Sequence, residues 1–253
     1  MDLRVHGSLP NTPFEEARTI LEPTHDIEKP IDVEVSQDPD GRTWTGHHGD
    51  RHVLTLSRRA ATSAMATELA LHEFAHMRRA EERHASHTVS TEEALFLALA
   101  GRRVEQSVIP HAYQIANHIR DVYADDITLS FRTGEKLAAF LESELAAAIL
   151  DGPETAPPGG YSRSRSADPE LTVVNAAFAL ALLDRHGVGG EHRLDDLAHA
   201  AARDAPSIDL EAFRRRFRTL PGEPTQGDCL RTFVDTIGAY FDARAGAGVS
   251  AAD

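Results

Sequence analysis

Cysteine, lysine and long apolar segments are almost absent from this sequence. Cys229 is the only cysteine among 253 residues, so the chain can form neither an internal disulfide nor a metal site of several thiolates. Lys29 and Lys136 are the only lysines. No segment approaches the roughly 20 apolar residues that span a bilayer, and the first residues lack the apolar core of a signal peptide. We therefore expect a soluble, cytoplasmic protein that does not cross a membrane.

The charge balance is strongly acidic. Lysine and arginine together number 26, whereas aspartate and glutamate number 40, which gives a formal net charge of −14. Phosphate backbones are bound by positively charged surfaces, so a nucleic acid is not an expected partner. An acidic chain with so few lysines resembles proteins of halophilic archaea, in which concentrated cytoplasmic salt screens the repulsion between like charges.

The segment from Glu68 to Met77 contains the pattern His-Glu-x-x-His. On a helix of 3.6 residues per turn, His72 and His76 lie one turn apart on the same face, where two neutral imidazoles can bind one Zn²⁺. Glu73 then lies beside the metal, where a carboxylate can move a proton from water to a leaving amine. The uncharged neighbours of the motif favour a buried helix below a cleft over a solvated helix that carries two histidines by chance.

The segments before the motif predict a mostly helical α+β fold with a small sheet. Thr12 and Pro13 begin a helix, since proline is favoured at the first helical position. Three segments with alternating apolar residues or strand-forming residues predict a small antiparallel sheet, and they are residues 31–35, 43–45 and 52–56. The motif helix follows, from about residue 60 to residue 80.

Two further groups of histidines raise the question of other metal ligands. His47, His48 and His52 lie in or beside a predicted hairpin turn, where histidines are usually solvated. His84 and His87 lie in a polar segment beyond the motif helix. We therefore assign none of these five histidines to the metal site.

A second informative helix begins at Pro110. Its two stripes at helical spacing are Ile115, Ile119 and Val122, which are apolar, and Asn117, Asp121 and Asp125, which are polar. Such a polar stripe is either the solvated face of an acidic protein or part of a site. A catalytic zinc needs three protein ligands and an open position, so the His-Glu-x-x-His motif requires another ligand from elsewhere in the chain.

With these two helices in this order, residues 60–126 resemble the gluzincin metallopeptidases, and most closely the HtpX and CAAX-prenyl-protease branch. In that branch a later helix carries Glu-x-x-Ala-Asp, and the matching segment here runs from Asp121 to Asp125. The membrane helices of those proteases have no counterpart in this sequence. The whole chain also resembles a haloarchaeal family of soluble proteins.

The resemblance implies a zincin-like core in which Zn²⁺ is bound by His72, His76 and Asp121. Asp121 stands where the family has glutamate, so its shorter side chain requires a closer approach of the two helices. Asp125 is implied as a supporting residue that forms a hydrogen bond with a ligand histidine. The third ligand has rivals, of which His118 is the main one. Weaker candidates are Glu92, Glu93 and Glu105.

The predicted organisation has three parts. Residues 1–150 form the zincin-like catalytic domain, and residues 151–168 form a linker rich in proline, glycine and serine. Residues 169–253 form a helical C-terminal subdomain that packs on the core. Within it, residues 171–186 are almost all apolar and predict a buried helix that ends at Gly187.

Two functions agree with these features. The first is a zinc-dependent peptidase that acts on a peptide or an unfolded protein, with Glu73 as the catalytic residue. The alternative is a non-catalytic zinc-binding or interaction protein on a degenerate zincin scaffold. A fourth protein ligand would favour the alternative, whereas an open coordination position would favour catalysis.

Overall fold

A computed structural model describes residues 1–7, 10–38, 41, 43–131, 134–151, 168–190 and 192–250, with side chains to residue 246. Over these residues the fold is mostly helical and contains a four-stranded sheet, so the predicted α+β class is confirmed. In this part of the chain no helix is both long enough and apolar enough to cross a membrane.

The sheet begins with a strand that the sequence pattern did not predict. In chain order the strands are β1 (Leu3–Val5), β2 (Ile31–Val35), β3 (Trp44–His47) and β4 (His52–Leu56). Their spatial order is β1, β2, β4, β3, which places β3 at one edge of the sheet. The predictions of strands at residues 31–35 and 52–56 are confirmed.

The prediction of an antiparallel sheet is wrong for most of the strand pairs. β1 pairs in parallel with β2, and β2 pairs in parallel with β4, whereas β3 and β4 are antiparallel. Helix α1 (Thr12–Leu21) connects β1 to β2, and a crossover helix of this kind joins parallel strands. β3 then takes the outer position, and β4 returns between β3 and β2 in the direction of β2.

Ten α-helices follow the sheet in the described part of the chain. They are α2 (Arg58–Ala61), α3 (Ala66–Glu81), α4 (Ala85–Thr88), α5 (Thr91–Leu99), α6 (Ile109–Phe131), α7 (Glu135–Leu150), α8 (Pro169–His186), α9 (Leu194–Asp204), α10 (Leu210–Arg218) and α11 (Gln226–Ser250). The predicted motif helix is divided into α2 and α3, because residues 62–65 form turns. The second informative helix is α6, which continues beyond its predicted end to Phe131.

The chain forms two compact units. The first comprises Met1–Thr88 and Tyr123–Arg132, and the second comprises Val89–Val122 and Thr133–Asp253. This division does not follow the predicted boundary at residue 150, because α5 packs against α11, and α7 packs against α8 and α9. The predicted linker at residues 151–168 lies almost entirely outside the described residues.

The core of the first unit packs the motif helix against α1 and the sheet. Phe14 and Leu21 of α1 are fully buried, as are Leu54 of β4 and Leu71 and Phe74 of α3. Each large side chain of this kind contributes about 1.5 to 3 kcal/mol when it is removed from water. The apolar face of α3 is therefore held firmly, which fixes the direction in which its other side chains point.

The second unit is built around α8. Almost every side chain from Thr172 to Leu183 is buried, so the prediction of a buried helix is confirmed. The helix ends at Gly187, which has a φ of 61° in the left-handed region that favours glycine. Arg214 of α10 binds the Asp184 carboxylate at 2.7 Å, which ties α10 to the end of α8.

Candidate metal centre

Helix α3 brings the two motif histidines together. The Nε2 atoms of His72 and His76 are 3.0 Å apart, and both side chains are partly exposed. Two ligands that each lie about 2.1 Å from a tetrahedral metal ion are about 3.4 Å apart. The separation of the two ring nitrogens is therefore close to the spacing that a shared metal ion requires.

Helix α6 adds a carboxylate to this pair. Ligand atoms of His72, His76 and Asp121 all lie within 4.8 Å of one another, and these three form a group that could hold a metal ion. Two imidazole nitrogens and one carboxylate oxygen make up the ligand set of many catalytic zinc sites. The side chains present thus fit a metal of this class.

Asp125 lies one helical turn after Asp121 and contacts a ligand histidine. Its Oδ1 atom is 2.8 Å from Nδ1 of His72, and its side chain is only 5% exposed. A buried carboxylate of this kind accepts a hydrogen bond from a protonated Nδ1, which leaves Nε2 of His72 available for a metal. Arg79 of α3 also donates a hydrogen bond to the main-chain oxygen of Tyr123, 3.0 Å away, and so joins the two helices beside the site.

Glu73 lies next to the ligands and is held by the edge strand. Its side chain is buried, and its Oε2 accepts a 2.5 Å hydrogen bond from the hydroxyl of Thr45 in β3. This contact fixes the orientation of the carboxylate beside His72. The sequence offered no means of identifying Thr45, because the contact depends on the packing of β3 against α3.

None of the rival third ligands belongs to the group that could hold a metal ion. His118 has its Nε2 atom 2.9 Å from Oδ1 of Asn175, and its ring stacks on Phe178 with the centroids 4.2 Å apart. Its Nδ1 lies 3.7 Å from the Asp121 carboxylate. The three glutamates that were weaker candidates are exposed and lie outside the group described above, and they are Glu92, Glu93 and Glu105.

His84 and His87 do not belong to the group that could hold a metal ion, as expected, but the expectation of a polar loop is wrong because Ala85–Thr88 form α4 and His87 contacts a candidate ligand. Nε2 of His87 is 2.8 Å from Nδ1 of His76, so His87 touches a candidate metal ligand directly. His84 is buried within the same segment. Both residues are brought back toward α3 because Arg83 adopts a left-handed φ of 53°, which reverses the chain after that helix.

The expectation of solvated histidines around the hairpin is wrong for His52. Its side chain is 1% exposed, its Nδ1 lies 3.0 Å from Nδ1 of His47, and its Nε2 lies 3.1 Å from Glu81 at the end of α3. Burial lowers the pKa of His52, although the hydrogen bond to Glu81 acts in the opposite direction. His48, by contrast, is exposed in the turn.

The lowered pKa of His52 predicts a loss of stability in mild acid. The lowered pKa means that the folded protein protonates this ring at a lower pH than the unfolded chain, whose pKa is near the usual value of about 6.5. The unfolded state therefore binds more protons as the pH falls below about 6.5, and the free energy of unfolding decreases. We expect His52→Gln to reduce the decrease measured by denaturant unfolding between about pH 7 and pH 5. The control His48→Gln should retain the full pH dependence of the parent, and equal slopes for all three proteins would contradict the prediction.

Comparison with known proteins identifies the family of the chain. No curated protein and no solved structure matches it. The match to DUF5781, which is described as a family of unknown function, covers residues 1–242, and the chain therefore belongs to that family.

Proposed function

We propose that the protein is a zinc-dependent hydrolase of peptide bonds, built on a zincin-like core. The observation that carries this proposal is the group formed by His72, His76 and Asp121, together with the buried side chain of Glu73, which directly follows His72 in the sequence. Three protein ligands leave one position of a tetrahedral metal ion open, which is the arrangement of catalytic rather than structural zinc.

The roles of the side chains follow from this geometry. Bound zinc would polarise the scissile carbonyl group and make a water molecule more acidic. Glu73 would accept a proton from the attacking water and deliver it to the nitrogen of the leaving amine, so that one water is consumed as the C–N bond breaks. Thr45 would hold the carboxylate in place for both transfers. Asp125 would keep His72 in the tautomer that presents Nε2 to the metal.

The position of β3 supports a peptide as the substrate class. β3 is the edge strand of the sheet, and it also contributes the hydroxyl that holds Glu73. An edge strand can bind an extended peptide through main-chain hydrogen bonds. Trp44 on the same strand has a side chain that is 51% exposed, and it could contact an apolar residue of such a peptide.

Metal content and chelator sensitivity test the proposal together. In concentrated salt, which suits a chain of net charge −14, we expect about one zinc per chain and hydrolysis of an unfolded protein that stops with a chelator and returns with added zinc. A protein that binds zinc but cleaves neither unfolded protein nor a peptide library would instead have the alternative, non-catalytic function. A protein that binds no zinc would contradict the proposed hydrolase and leave only an interaction protein without a metal.

A further inference from the structure

A chain of short contacts leads away from His76 into the segment that contains α4. Nδ1 of His76 lies 2.8 Å from Nε2 of His87, and Nδ1 of His87 lies 2.8 Å from Oγ of Ser86. Oγ of Ser86 is in turn 2.7 Å from Nδ1 of His84. Ser86 is fully buried and His84 is 8% exposed, so water competes little for the contact between these two side chains.

Metal binding would fix the direction of every hydrogen bond in this chain. A neutral imidazole that uses Nε2 as a ligand carries its proton on Nδ1, so His76 would donate to Nε2 of His87. The remaining ring proton of His87 is then on Nδ1 and is donated to Ser86. The hydroxyl of Ser86 donates to Nδ1 of His84, which also receives the main-chain N–H of Ser86 at 3.3 Å. His87 and the hydroxyl of Ser86 thus each accept one hydrogen bond and donate one, His84 accepts at Nδ1, and no ring in this arrangement carries a charge.

The two candidate histidine ligands consequently have supports of different charge. His72 is supported by the carboxylate of Asp125, whereas His76 is supported by an imidazole. Glu73, Asp121 and Asp125 already place three carboxylates in or beside the site. An imidazole support for His76 orients the ring without adding another carboxylate to this group.

We propose that His87 is a positioning residue for the metal ligand His76. Ser86 and His84 hold His87 in the tautomer that is protonated on Nδ1, so that its Nε2 accepts a hydrogen bond from Nδ1–H of His76. This inference rests on the metal site of the proposed function, but not on peptide hydrolysis. The contacts of His87 with both His76 and Ser86 carry it, since only one assignment of ring protons satisfies both contacts while Nε2 of His76 binds a metal.

Zinc affinity, measured by competition with a chromogenic chelator, tests the role of His87. We expect His87→Phe, which keeps a ring but removes the acceptor, to weaken zinc binding by about 10- to 100-fold. His87→Gln places a carbonyl oxygen near the former Nε2 and should restore part of the affinity. His48→Phe, on the exposed hairpin turn, is the matched control and should bind zinc as the parent does. Circular dichroism of the metal-free proteins separates lost affinity from lost folding.

Ring protonation gives a second measurement that a purely structural role would not affect. In zinc-loaded parent protein, long-range proton–nitrogen NMR spectra should show His87 protonated on Nδ1, and Ser86→Ala should reduce the population of that tautomer. Zinc affinity of His87→Phe within about two-fold of the parent, or protonation of His87 on Nε2, would overturn the inference. Neither measurement uses a peptide substrate. If the protein binds zinc but has no peptidase activity, the proposed hydrolysis is refuted, whereas the zinc affinity and the NMR spectra still decide the role of His87.

Discussion

Glu73→Gln should lower the rate of peptide hydrolysis by about 10²-fold or more while zinc remains bound. The substitution keeps the shape of the side chain, and the amide oxygen can still accept the hydrogen bond from Thr45. An amide cannot take a proton from the attacking water, and the loss of a general base commonly costs about 10² to 10⁴ in rate. The measurement is the turnover of a fluorogenic peptide library at saturating zinc.

Two comparisons make the Glu73 result specific. Glu93→Gln changes an exposed carboxylate outside the metal group and should leave both turnover and zinc content unchanged. Zinc content of Glu73→Gln itself should equal that of the parent, because Glu73 is not among the three candidate ligands. Parent-like hydrolysis by Glu73→Gln would show that the proposed mechanism is wrong.

Asp121→Ala should weaken zinc binding more than any other single change on α6. It removes one of three ligands and leaves two imidazoles, whereas Asp125→Ala removes only the support of His72, which is worth about 10- to 100-fold. We therefore expect a loss for Asp121→Ala well beyond that range in the same chelator competition. Asp121→Asn, with nearly the same shape, should also bind zinc more weakly than Asp125→Ala does.

His118→Ala is the decisive comparison for the third ligand. His118 is bound to Asn175 and stacked on Phe178, so its removal should change zinc affinity little, although it removes packing within the second unit. If His118→Ala lost more affinity than Asp121→Ala, the ligand set would consist of three histidines. The comparison with the Glu-x-x-Ala-Asp helix of the gluzincins would then fail.

The fold was predictable where the signals are local. Pro13 at the start of α1, the alternation in β2 and Gly187 after α8 each act within a few residues, and each was read from the sequence alone. The directions of the strands could not be predicted in this way, because they depend on the crossover through α1 and on the outer position of β3. Both features depend on the fold of the whole chain, and neither produces a periodic pattern in the sequence.

The residues of the candidate site likewise fall into those that the sequence predicts and those that it does not. His72, Glu73 and His76 follow from helical spacing, and Asp121 and Asp125 were named through a resemblance to a known motif. Thr45 and His87 carried no comparable signal. Thr45 reaches Glu73 through the packing of a strand on a helix, and His87 reaches His76 through a chain reversal at Arg83, a residue type that seldom adopts a positive φ. The residues that support the site are therefore harder to predict than those that form it.

Glu81, at the C-terminal end of α3, holds the motif helix in place at a distance from the candidate metal site. One of its carboxylate oxygens accepts the main-chain N–H of Glu28, and the other accepts that of Lys29 and contacts the ring of His52. Although burial alone would raise the pKa of Glu81, these hydrogen bonds lower it, so the carboxylate stays ionised and bonded. The end of the motif helix is thus fastened to the segment that enters β2 and to β4, about 12 Å along the helix axis from Glu73. These contacts oppose sliding of the helix along the sheet, and so they help to maintain the register that brings Glu73 to Thr45.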